Sequence, residues 1–143
     1  MLRAPVLLYR LGLGRVLGRR FLLLEHVGRK TGSLRRTVLE VVEHDVARDV
    51  YYVAVGFGPR TDWYRNLVKT PECLIIVGSS RSARRARTVS PAEGADLMAG
   101  YAGHHPKAAR ALMRLMGFDV DGSEADYRQV GALGLRFVGL EPR

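Results

Sequence analysis

Two short segments hold most of the residue types in this chain that could do chemistry. The first is Gly28-Arg29-Lys30-Thr31-Gly32-Ser33-Leu34-Arg35-Arg36. Two glycines flank a basic pair and a threonine hydroxyl, and two more arginines follow closely. Turn amides, a hydroxyl and up to four cations converge there, a combination suited to phosphate or carboxylate. The plainer alternative is a solvated basic turn. No aromatic residues interleave with these arginines, so a stacking platform for nucleic-acid bases is not encoded. The second segment is Gly56-Phe57-Gly58-Pro59-Arg60-Thr61-Asp62-Trp63-Tyr64-Arg65-Asn66-Leu67. A glycine-rich loop lets backbone approach a flat ligand closely. It then feeds a helix start, whose free N–H groups favour electron-rich or anionic atoms. Trp63 either meets such a ligand or, with Leu67 four residues on, anchors the helix in the core. Asn66 is placed to hydrogen-bond nearby backbone.

Other chemistries lack their residues. No strand is followed by Gly-x-Gly-x-x-Gly, and no Gly-x-x-x-x-Gly-Lys occurs. The four histidines, His26, His44, His104 and His105, are not spaced with carboxylates or Cys73 as a zinc site requires. No Ser/His/Asp arrangement stands out. Cys73 lies in an apolar run and reads as an inert buried thiol. An enzyme built this way would borrow its reactivity from a cofactor.

The elements that position these segments follow from patterning. The chain has 143 residues, 47% hydrophobic and 26% charged, with a net charge of +9. That suits one folded domain and excludes general disorder. Through Arg36 there are nine basic residues and one acid, so the positive field belongs to the first quarter and asks for an anionic partner. A single cysteine allows no internal disulfide, which together with the lack of a secretory signal or membrane-length apolar run predicts a cytoplasmic protein. Residues 1–20 read as a basic amphipathic helix. Within it, 2–18 set arginines among leucines, and this segment either packs on the body or rests peripherally on anionic lipid. Residues 21–143 read as a single domain. Strands are predicted at 20–27, 34–43, 50–55, 73–77, 82–89 and 132–140. A loop is expected at 44–49, and Thr61 or Asp62 should cap a short helix over 63–69. Ser90-Pro91-Ala92-Glu93 starts a helix running to about Gly103, and Pro106 opens another that stops at Gly117. Strands and helices do not alternate regularly, which disfavours a doubly wound parallel sheet. A small, mainly antiparallel barrel with flanking helices (α+β) fits.

Taken together, the two segments resemble the deazaflavin (coenzyme F420)-dependent nitroreductase and quinone reductase family. The resemblance rests on Gly-Arg-Lys-Thr-Gly after a leucine-rich strand, arginines close behind, a glycine loop, Asp-Trp-Tyr-Arg-Asn-Leu, then Pro71 and a Val/Ile strand. It runs over residues 21–89, and residues 137–142 are similar to the family's last strand. It implies a split β-barrel of the kind that binds flavin mononucleotide. It implies hydride transfer from reduced coenzyme F420, with FMN as the alternative cofactor, to a small-molecule acceptor: a quinone, nitroaromatic or activated enone. A non-catalytic carrier of deazaflavin or of a hydrophobic ligand is the competing reading. A monomer or homodimer is expected, with no nucleic acid and no metal. By the resemblance Arg29, Lys30, Thr31 and Gly32 hold the coenzyme's phosphate and tail. Arg35 and Arg36 come next, though strand neighbours point to opposite sides, so only one need face the ligand. Val55, Gly56, Phe57, Gly58, Arg60, Asp62 and Trp63 line the ring, and Asn66 contacts it or braces the loop. Tyr127 is the candidate catalytic or substrate-contacting tyrosine, with Tyr101 as the second choice.

Overall fold

The computed structural model describes residues 18–56, 58 and 60–143. The helix expected over 2–18, its lipid contact, and Phe57 lie outside the described residues. Among the described residues seven strands form one antiparallel sheet: β1 (Phe21–Val27), β2 (Leu34–Glu40), β3 (Glu43–Asp45), β4 (Val50–Ala54), β5 (Glu72–Val77), β6 (Ser80–Thr88) and β7 (Phe137–Pro142). Their order across the sheet is β2-β1-β5-β6-β7-β4-β3, and the sheet curls into a half-barrel. The helices are α1 (Asp62–Lys69), α2 (Pro91–His104), α3 (Pro106–Met116) and α4 (Glu124–Gln129), with a π-helical turn at Val130–Gly134.

Strand alternation sorts side chains into two cores. Inside the curl, Leu22 and Leu24 of β1, Tyr51 and Val53 of β4, Ile75 of β5 and Leu140 of β7 close around Trp63, Tyr64 and Leu67 of α1. On the outer face, Val50 and Tyr52 of β4 and Phe137 of β7 lie under Leu97, Met98 and Tyr101 of α2 and Met113 of α3. β4 is apolar throughout because both its faces are covered. The arginine-bearing β6 is tolerated because buried Arg84 is fully engaged. Its guanidinium donates to Ser82 Oγ (3.0 Å), Asp49 O (2.5 Å), Leu140 O (3.3 Å) and Asp49 Oδ2 (3.0 Å).

The helix signals at 90–93 and 117 translate directly into structure. Ser90 and Glu93 form a reciprocal capping box, and Gly117 closes α3 in the left-handed region at φ +79°. Three expectations are corrected. The strand read over 34–43 ends at Glu40, because Val41 and Val42 turn their amides to Arg20 O and Tyr52 O. The loop read from His44 instead begins inside β3, which pairs with β4 and turns back through Asp49 at φ +55°. The last strand, expected from residue 132, starts at Phe137. Ser123 caps α4 by accepting from Asp126 N, and the following π-helical turn presents Gly131 to Gly94 of α2 so closely that no side chain fits between them.

Candidate functional site

The β1–β2 turn and the start of α1 enclose a cleft of about 560 Å³. Gly28-Arg29-Lys30-Thr31-Gly32 makes the turn. Gly28 N donates to Ser33 O, Gly32 N donates to Gly28 O, and Gly32 sits at φ +74°, which a side chain would strain. Thr31 Oγ1 accepts from Ser33 N at 3.2 Å. α1 begins after the glycine loop, whose Gly58 lies at φ +86°. Thr61 occupies the cap position, but its hydroxyl donates to Gly58 O (2.8 Å) and leaves the helix amides uncapped. The expected cap is therefore a loop brace.

The cleft has two kinds of wall. Lys30, Arg35 and Arg36 form an exposed cationic rim, while His26, Trp63 and Asn66 are 4–8% exposed and form the inner wall. Arg35 stands opposite His26 across the β1–β2 ladder and shares its face. Arg36 points to the other face, where its Nη2 lies 3.0 Å from Glu25 Oε2. The two neighbours thus point to opposite faces, yet both contribute atoms to the cleft wall.

Asn66 ties the two segments together. Its Oδ1 accepts from Arg29 N (3.1 Å) and Arg29 Nη1 (2.9 Å), and its Nδ2 lies 3.0 Å from His26 Nδ1. Arg29 Nη2 also donates to Asp62 Oδ1 at 3.1 Å, and Lys69 Nζ donates to Arg29 O at 2.8 Å. Arg29 is consequently committed to holding its own turn on α1. Burial, reinforced by the Arg35 charge and opposed by Asp62, lowers the His26 pKa to about 4. The imidazole is neutral at physiological pH.

Of the residues singled out from sequence, the structure brings Arg29, Lys30, Thr31, Arg35, Arg36, Asp62, Trp63 and Asn66 to the cleft. Trp63 packs in the inner core, the anchoring weighed for it, and also lines the cleft. Gly32 shapes the turn without lining the cleft. Val55 is buried in the inner core, and Gly56, Gly58 and Arg60 are likewise absent from the cleft walls. Tyr127 and Tyr101 are not brought there. Both are buried under the helices on the outer face of the sheet, and Tyr101 donates its hydroxyl to Glu40 at 3.0–3.1 Å. The helix at 124–129, absent from the sequence reading, is what draws Tyr127 inward. Sequence reasoning missed His26, Thr37 and Thr61. The signal for His26 was its register: it continues the Leu22–Leu24 face of β1 to the mouth of the basic turn.

Residues 7–113 match the family model described as F420H(2)-dependent quinone reductase. Solved structures share the fold. One described as an F420-H2 dependent reductase is 19% identical, with 87% of this chain and 96% of that chain covered and a TM-score of 0.61. General Stress Protein 26 from Bacillus anthracis is 12% identical, with 93% and 89% covered and a TM-score of 0.54. A pyridoxamine 5'-phosphate oxidase-related, FMN-binding protein from Nostoc punctiforme is 15% identical, with 96% and 78% covered and a TM-score of 0.53.

Proposed function

The chain belongs to the F420H(2)-dependent quinone reductase family, and from that premise we propose which of its residues hold the coenzyme and which acceptors it reduces. It is a reductase, and its cofactor is coenzyme F420. The residues of the cleft fit that group. The coenzyme is a flat deazaflavin head carrying a phosphodiester and an acidic tail, and the cleft joins an exposed cationic rim to a buried, neutral, partly aromatic wall. This division between rim and wall is the observation that carries the reading.

In the proposed arrangement Lys30 and Arg35 attract and hold the acidic tail, with Thr31 and the turn amides donating to phosphate oxygens. Arg29 keeps the turn seated on α1. Trp63 offers an apolar surface that excludes water from one side of the head. The reduced deazaflavin, when bound, supplies the hydride. The protein's part is to hold the two reactants in register, which alone can lower a bimolecular barrier by several kcal/mol, of the order of 7–11 at best. The acceptors proposed are quinones, nitroaromatics and activated enones, with the closing proton taken from solvent. No tyrosine is assigned to catalysis, because Tyr127 and Tyr101 lie in the outer core.

Titration of the purified protein with F420 and with FMN, followed by fluorescence, tests the cofactor preference. Adding menadione, a nitroaromatic or an enone to the reduced complex then separates turnover from carriage. Tight F420 binding with acceptor-stimulated oxidation is expected. Binding without consumption would favour a carrier. Lys30→Ala is expected to weaken F420 binding at least about tenfold, since a charge-assisted hydrogen bond contributes about 1.5–3 kcal/mol. Lys107→Ala, on α3 and away from the cleft, is expected to change nothing. Equal effects of the two substitutions would remove the tail cradle.

A further inference from the structure

We infer that His26 is a recognition residue of the cleft, donating its Nε2–H to an acceptor atom on the flat head of the bound coenzyme; this rests on the coenzyme reading above. Asn66 fixes the hydrogen-bonding state of the neighbouring imidazole. Its Oδ1 receives two donors, the Arg29 amide at 3.1 Å and the Arg29 guanidinium at 2.9 Å. An amide nitrogen could accept neither, so the orientation of the Asn66 side chain is forced. The atom facing His26 Nδ1 at 3.0 Å is therefore the NH2 group, which donates. His26 Nδ1 must accept, and a neutral imidazole accepting at Nδ1 carries its proton on Nε2. The double protonation that would charge the ring would also set Nδ1–H against the Asn66 N–H groups.

His26 is 4% exposed, and its Nε2–H has no hydrogen-bond partner among the described residues. A buried donor left unmade is expensive, and such groups call for an explanation. His26 is also part of the cleft wall, beside Trp63 and Asn66 and set back from the exposed cations of the rim. A bound group with an exposed carbonyl or ring nitrogen would satisfy the donor there. The deazaflavin head carries such acceptors, whereas the charged tail is served by Lys30 and Arg35. A neutral donor discriminates by position without adding charge, so it selects the head's acceptor pattern where the rim selects only anions.

The test uses the full chain with its histidines labelled with 15N, F420 as the probe, and the variants His26→Gln and His26→Leu. Glutamine keeps both an acceptor for Asn66 and an N–H donor; leucine keeps neither. Long-range nitrogen–proton spectra of the free, unaltered protein are expected to show His26 as the Nε2–H tautomer, with the Nε2–H resonance moving on saturation with F420. Affinity is expected to fall about five- to tenfold in His26→Leu and less than about twofold in His26→Gln, as for one neutral hydrogen bond. An Nδ1–H tautomer, an Nε2–H resonance that saturation leaves in place, or equal affinity of all three chains overturns the inference while the coenzyme assignment stands. No F420 binding by the unaltered chain overturns both. Should His26→Leu fail to fold, the spectra of the unaltered protein decide.

Discussion

Acidification from pH 6.5 towards 4 is expected to destabilise the fold through His26. Folded, this imidazole has its pKa lowered to about 4, first by burial and then by the Arg35 charge, with Asp62 opposing. In the unfolded chain a histidine takes its proton near 6.5. Between these values the unfolded state binds more protons than the folded one, so stability falls as the pH falls. The contribution is fully present above about 6.5 and is lost as the pH drops towards the folded value. One proton per pH unit corresponds to about 1.4 kcal/mol, so the window of about 2.5 pH units gives a loss of up to about 3 kcal/mol. The groups around the ring are Arg35 from β2 and Asp62 and Asn66 from α1, with Arg29 reaching it through Asn66. Urea unfolding at half-unit steps from pH 7 to 5.5 measures the slope, above the range where carboxylates of the unfolded chain take up protons and where Asp49 and Glu93, both held below ordinary carboxylate values by their hydrogen-bonding partners, would add their own loss of stability. His26→Gln is expected to lose this slope. Asn66→Asp replaces the donor facing Nδ1 with a carboxylate that welcomes Nδ1–H, so the slope should shrink or reverse. Identical slopes for the unaltered protein and His26→Gln would refute the reasoning.

Gly131→Ala puts a methyl 2.1 Å from the Gly94 carbonyl oxygen and is expected to cost about 3 kcal/mol or more in urea unfolding. Gly103→Ala, in the same helical layer with nothing within 4 Å, should instead stabilise α2 by about 0.5–1 kcal/mol; a comparable loss in both would refute the close-contact account. Burial pushes the Cys73 thiol up to about 11, so a thiol-specific reagent at pH 8 is expected to label it only as fast as the chain unfolds, and immediately in denaturant. F420 affinity is expected to fall as salt rises from low to physiological ionic strength, because the rim cations are exposed; a salt-independent dissociation constant would count against the rim.

Local chemistry made much of the site legible. Gly-Arg-Lys-Thr-Gly announces a tight basic turn because glycine and the turn amides act within a few residues. The capping box at Ser90–Glu93 and the stop at Gly117 are likewise short-range signals. The division of Arg35 from Arg36 follows from strand alternation alone. The missed α4 shows the opposite case. Six residues with a serine cap carry little intrinsic helix signal, and this helix buries Tyr127 in the outer core while the π-helical turn after it lies against Gly94 of α2. Tyr127 was singled out by the family resemblance alone, which says nothing of burial; on α4 it is drawn under the sheet's outer face.

By itself the sequence determined the alternation that makes strands, the basic turn, the glycine loop and the concentration of positive charge, since each depends on neighbours along the chain. Only the tertiary structure decided that Asn66, 40 residues from His26, would set the imidazole's tautomer, and that Arg29 would brace the turn while Lys30 and Arg35 stand exposed at the rim. Those assignments depend on which donors and acceptors meet across the β1–α1 boundary. Hydrogen bonds are short and directional, so a residue's type states what it could pair with, and only the packed geometry states what it does.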